Sequence, residues 1–139
     1  MALLPFVLVV TCAAAPVSNG KVHAGPFTGR LLFPRYDVVR GRFRMHPAGY
    51  RDRRRGISDK IPWFVSTRAR PRSSLLVTGR RLDRRARRFS QSFARANPER
   101  PARGRYVFPS NIVIPSAGCW QLTLRSGRAR GTLRVVVSG

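Results

Sequence analysis

The chain has 139 residues, with 28 Lys and Arg against 5 Asp and Glu, a formal net charge of +23. Two Cys and two His are too few for a multi-ligand metal site or a disulfide framework, and the length suits one domain with a modest core. Hydrophobic residues make up 42% of the chain, which argues against wholesale disorder, and the composition argues against most enzymes and any multi-pass membrane protein.

Residues 2–11 (ALLPFVLVVT) form an apolar run ahead of Cys12-Ala13-Ala14-Ala15, and no Lys or Arg precedes Lys21. The run has the length of a signal-peptide core and is too short to span a bilayer as a helix. Two endings are open. Val9-Val10-Thr11-Cys12 resembles a bacterial lipobox, which makes Cys12 a candidate lipid-attachment site, although Thr11 stands where a smaller residue is usual. Alternatively, ordinary signal peptidase cuts within residues 13–15. Either ending leaves Cys119 as the only thiol, or the only unacylated one, so a Cys12–Cys119 disulfide is not expected. Residues 16–29, rich in Pro, Gly, Ser and Asn without periodicity, read as a flexible tether. The expected organisation is a signal segment at 1–15, the tether at 16–29 and a folded domain at 30–138.

Within that domain, residues 30–33 and 37–45 are weak strand candidates, the latter alternating Arg with apolar residues. Residues 61–66 (IPWFVS) are aromatic and β-branched, with Pro62 confining them to an edge or a strand start. Residues 74–80 (SLLVTGR) form another strand. Phe89 and Phe93, four apart, suggest a short helix over 83–96, stopped by Asn97-Pro98. Residues 110–115 (SNIVIP) are a short strand ended by proline. The clearest segment follows. Trp120, Leu122 and Leu124 alternate with polar residues, as do Leu133, Val135 and Val137, with Ser126-Gly127 and Gly131 supplying turns. Period-two patterning around turn residues predicts a β-hairpin.

Many short strands with frequent turn signals predict an all-β fold. The Ala117-Gly118-x-Trp120 corner before an alternating strand is similar to the corner of an immunoglobulin-like antiparallel β-sandwich, with the Trp120 indole N–H available to bond upstream backbone. Trp63, Gly118, Cys119 and Trp120 are read as structural. Cys119, with no His near it in sequence, reads as a small buried residue.

Three pieces together, Lys60-Ile61-Pro62-Trp63, the segment 75–83 (LLVTGRRLD) and Pro115-Ser116-Ala117-Gly118-Cys119-Trp120 with its hairpin, resemble a group of uncharacterised bacterial secreted proteins and lipoproteins. Those proteins carry K-x-x-W, L-x-x-x-G-R-R-L-D and P-x-x-G-C-W-x-x-T-x-R segments in that order. The resemblance covers residues 59–137 and implies an extracytoplasmic β-sandwich without assigned catalytic residues. The Arg-rich stretch 84–105 departs from the pattern.

Catalytic chemistry finds little support. The carboxylates Asp37, Asp52, Asp59, Asp83 and Glu99 all have Arg or Lys nearby in sequence, which favours their ionised form and argues against a proton donor. His23 lies in the tether and His46 precedes Pro47. Asp83 reads as fixing a turn. No enzyme, metal site or cofactor is expected. The positive signal is basic: Arg51, Arg53, Arg54 and Arg55 form one cluster, and Arg84, Arg85, Arg87 and Arg88 fall in a second. Only Lys21 and Lys60 are lysines, so 26 of the 28 cations are Arg, which grips phosphate and carboxylate bidentately; a compositional origin fits the bias as well. The expected function is an exported cell-envelope binding or structural module whose Arg clusters contact an anionic polymer or lipid headgroups. The alternative is a cytoplasmic nucleic-acid-binding protein, with Phe89 and Phe93 stacking on bases.

Overall fold

The computed structural model describes residues 12–45, 56–84, 87–96 and 103–138, together with the backbone of 50–52. The fold is an all-β sandwich of two sheets. The strands are β1 (Lys21–Ala24), β2 (Phe27–Arg30), β3 (Val38–Val39), β4 (Arg42–Met45), β5 (Tyr50–Asp52), β6 (Gly56–Ser66), β7 (Ser74–Arg81), β8 (Arg88–Ala94), β9 (Arg105–Ile114), β10 (Gly118–Ser126) and β11 (Ala129–Val137), with one α-helical turn, α1 (Pro34–Asp37), and a 3-10 turn at Thr67–Ala69. One sheet runs β1-β2-β6-β5 with β9 also on β6; the other runs β3-β4-β11-β10-β7-β8.

Alternation places the core as expected from the C-terminal pattern. Trp120, Leu122 and Leu124 on β10, and Leu133, Val135 and Val137 on β11, are buried against Ile61, Trp63 and Phe108 of the facing sheet. The hairpin register pairs Leu122 with Leu133 and Ser126 with Ala129, so its turn is at Gly127-Arg128. Gly131 is not a turn but an inward position of β11. A Cβ there would stand 1.9 Å from the Ala24 carbonyl oxygen, so glycine lets the β1–β2 hairpin close onto the second sheet.

β6 is an internal strand rather than an edge. It bonds β9 along its length, and on its other side it bonds β5 over Gly56–Ser58 and β2 over Trp63–Val65. Pro62 falls between those two stretches and opposite Pro109, so its missing N–H interrupts no partner.

Further expectations are corrected. Residues 16–29 are not a tether: Val22, Ala24 and Phe27 are fully buried, and β1 pairs with β2 from Lys21–Arg30 to Ala24–Phe27. The Gly and Pro that suggested a linker sit at turns, Asn19-Gly20 and Gly25-Pro26. The ordered body begins earlier still. Ala14 and Ala15 are buried, the Ala15 N–H donates to the Arg134 carbonyl, and the Phe43 N–H donates to the Ala15 carbonyl. The folded domain therefore starts by Cys12 and not at residue 30. Residues 88–94 of the expected helix are strand β8, paired with β7. Residues four apart share a face in a strand as well as in a helix, and Phe89, Gln91 and Phe93 follow period two. The Gln91 side chain donates to the Val113 carbonyl and accepts from the Val113 N–H, tying β8 to the opposite sheet. The weak strand at 30–33 holds only Arg30, the last residue of β2, before the chain turns into α1.

Candidate functional site

Two of the three sequence motifs, the segment 75–83 and the Gly118-Cys119-Trp120 corner, meet at one corner. The Trp120 indole N–H donates to the Ser116 carbonyl at 2.9 Å, the upstream bond expected of it. Arg81 at the end of β7 donates to the Asp83 carboxylate at 2.7 Å and to the Ser116 hydroxyl at 3.2 Å. That hydrogen bond holds the Asp83 carboxyl below the usual range, in keeping with a turn-fixing role. Gly118 (φ +141) lies against the Arg81 guanidinium, where a Cβ would stand 2.7 Å from its Nε. The segment 75–83 and the Gly-Cys-Trp corner are thus one packed unit. Trp63 is fully buried, with its ring over Gly29.

The cysteines require a correction. Cys12 Sγ is bonded to Cys119 Sγ in a disulfide. A lipid thioether needs that same sulfur, so the lipobox reading of Cys12 does not describe this chain as folded. Alternation turns Cys119 to the outer face of β10, opposite Trp120, and the segment entering the fold at Cys12 meets it there.

A second correction concerns the carboxylates. Asp37, on α1, and Asp59, on β6, are 22 positions apart, yet their side chains are buried together and hydrogen-bonded. Burial, with the adjacent Asp59 adding to it, pushes the Asp37 carboxyl up to about 8. Asp59 is also raised by burial, but it accepts from Asp37 and from the Lys60 backbone N–H. The two buried carboxyls therefore share a proton across their hydrogen bond. Cations adjacent in sequence do not set this environment. Each residue's Oδ2 lacks a partner among the described residues. Their hydrogen bond ties α1 to β6; a cleft of about 610 Å³ on one sheet and one of about 310 Å³ on the other have other linings.

The basic residues form a pattern that contiguous runs do not reveal. Arg53, Arg54, Arg55 and Arg85 lie outside the described residues, as do His46 and Glu99, and of Arg51 and Asp52 only the backbone is described. Arg84, Arg87 and Arg88 are exposed. The larger feature is the outer face of β11-β10-β7-β8, where the register lines up residues in rows. One row is Arg134, Gln121, Arg80 and Arg88. The next is Thr132, Thr123, Thr78 and Ser90. The third is Arg130, Arg125, Leu76 and Ser92. Neighbours within a row are about 4.8 Å apart, and rows are separated by about 6.8 Å, the spacing of two strand residues.

Among the described residues no carboxylate stands on this face: Asp37 and Asp59 are interior, and Asp83 holds Arg81. Arg80 faces Arg88 directly, and Arg125 faces Arg130; like charges in such positions destabilise a sheet. The larger cleft opens over the first two rows, lined by Arg80, Arg88, Thr78, Ser90, Gln121 and Thr123. Phe89 and Phe93 are half-buried on the inner side of β8, and Phe89 both packs against Trp120, with ring centroids 5.5 Å apart, and lines the larger cleft. The smaller cleft, on the other sheet, is lined by Lys21, Arg30, Arg105, Asn19, Thr28 and Phe64.

Among the described residues no three His, Cys, Asp or Glu come together as a metal would need, and no helix is long and apolar enough to cross a membrane. Comparison of the chain with family models, curated proteins and solved structures found no match.

Proposed function

We propose that the protein is an exported binding module of the cell envelope, and that it holds an anionic polymer on the outer face of β11-β10-β7-β8. The observation that carries this reading is the row of hydroxyls between two rows bearing Arg, on a face with no described carboxylate. Directly opposed like charges lower stability, and an anion lying between them relieves that repulsion. Guanidinium groups bind phosphate or carboxylate through two parallel donors, and the Thr and Ser hydroxyls both donate and accept beneath a polymer strand. Affinity comes chiefly from counterion release and falls with salt.

Export is supported by the apolar run at residues 2–11, by the absence of Lys and Arg before Lys21, and by the cystine. Disulfides persist in oxidising compartments. The resemblance to bacterial secreted proteins points the same way.

Cell fractionation and retention on an anionic matrix test the two halves. The expected result is protein in the envelope fraction with Cys12 and Cys119 oxidised, released from the matrix by moderate salt. A reduced protein confined to the cytosol, or retention insensitive to salt, would overturn the reading.

A further inference from the structure

The exposed large hydrophobic side chains among the described residues are Leu32, Phe33, Tyr36 and Val39, and all four fall within eight positions. They are between 38% and 48% exposed, on a segment that is otherwise firmly held. Leu31 is 4% exposed on one side of it and Phe43 is fully buried on the other. Between them Asp37 turns inward to Asp59. The Phe33 carbonyl accepts the N–H groups of Tyr36 and Asp37, each at 3.0 Å, so the backbone that carries the exposed Phe33 and Tyr36 is fixed by α1.

The surroundings of these side chains are basic. Arg30, Arg35 and Arg40 are exposed, and the acidic residue of the segment, Asp37, is interior and bonded to Asp59. Arg30 also lines the smaller cleft with Lys21 and Arg105. An apolar tip, a collar of guanidinium groups and a small basic cleft beside it match the layering of a membrane surface, where acyl chains lie beneath phosphate headgroups.

We propose that residues 30–40 are a membrane-surface insertion site. Leu32, Phe33, Tyr36 and Val39 enter the interface of an anionic bilayer, and Arg30, Arg35 and Arg40 bind its headgroup phosphates. This goes beyond the polymer-binding reading and uses different residues.

The test uses the full chain with sedimentable vesicles, one set of equal parts phosphatidylglycerol and phosphatidylcholine and one of phosphatidylcholine alone. The native Trp63 and Trp120 are fully buried and supply a fixed background, so a Phe33→Trp variant reports on the tip. Binding to the anionic vesicles with a blue shift and quenching by brominated acyl chains is expected. Phe33→Ser with Tyr36→Ser should lower partitioning roughly tenfold or more, while leaving retention on an anionic matrix unchanged. Arg30→Gln, Arg35→Gln and Arg40→Gln together should reduce binding to the level of the neutral vesicles.

Absence of vesicle binding, or binding without quenching at position 33, would overturn the proposal. So would an unchanged Ser double variant, or loss of binding only on replacing Arg80, Arg88 and Arg134, which would place the lipid on the sheet face. Unaltered emission from the buried Trp residues checks that each variant is folded.

Discussion

Stability should fall as the solution becomes more alkaline, because of the buried carboxyl pair. Asp37 ionises with a pKa of about 8 in the folded chain against an ordinary value of 3.8. A carboxyl raised in this way stabilises the fold while it keeps its proton, and that contribution is lost as pH rises through the folded value. Between about pH 5 and 8 the folded pair retains one proton that the unfolded chain has released, a slope of about 1.4 kcal/mol per pH unit. Over two units this comes to about 3 kcal/mol at most, a large share of the roughly 5–15 kcal/mol that holds a small domain together.

The assay is urea unfolding followed by emission of the buried Trp63 and Trp120, at pH 5, 6, 7 and 8. The midpoint should fall steadily with pH. Asp37→Asn supplies a permanently neutral N–H donor to Asp59, so this variant should show a nearly flat profile and exceed the parent protein at pH 8. A parent midpoint that holds constant or rises from pH 5 to 8 would refute the reasoning. An Asp37→Asn variant with the parent slope would do the same.

Three further outcomes follow from the packing. Thiol titration of the native protein should find neither Cys12 nor Cys119 free, and reduction should lower stability by about 4–5 kcal/mol, since the bond closes a loop of 107 residues; two titratable thiols before reduction would contradict this. Gly131→Val should destabilise by about 1–3 kcal/mol or more by thermal unfolding, because its Cβ meets the Ala24 backbone and not a side chain that can swing aside; an unchanged melting temperature would show that the β1–β2 hairpin does not press on β11. Trp120→Phe should cost about 1–3 kcal/mol by urea unfolding through its lost bond to the Ser116 carbonyl, and a neutral result would remove the corner's role.

The C-terminal hairpin was legible because its alternation is local: Trp120 to Leu124 and Leu133 to Val137 each display the period of the sheet. The sandwich followed from such patterns, and the likeness of the Ala117-Gly118-x-Trp120 corner pointed to a Trp120 bond with upstream backbone, whose acceptor is the Ser116 carbonyl. Residues 16–29 were misread because Gly and Pro mark hairpin turns as readily as linkers, while the apolar alternation of Val22, Ala24 and Phe27 is too short to stand out. The Asp37–Asp59 pair and the cystine join residues far apart in sequence, and neighbouring charges in the chain say little about an interior site. The basic face was hidden for a related reason. A strand shows every second residue to one side, and the rows from Arg134 to Arg88 cross four strands, of which β10 and β7 are far apart in the chain. A search for contiguous Arg runs selects exposed turns instead.

The central claim is that the face formed by β11, β10, β7 and β8 holds the anionic polymer, and the most direct test is the salt dependence of binding to polyphosphate. By analogy with single-stranded nucleic acid, each phosphate the protein no longer neutralises lowers the slope of log K against log salt by about 0.7. Replacing Arg80, Arg88 and Arg134 by Gln should therefore reduce the slope by roughly two and weaken binding more than the same change at Arg53, Arg54 and Arg55. An unchanged slope in the Arg80, Arg88 and Arg134 variant, with the weakening falling on Arg53, Arg54 and Arg55 instead, would contradict the account.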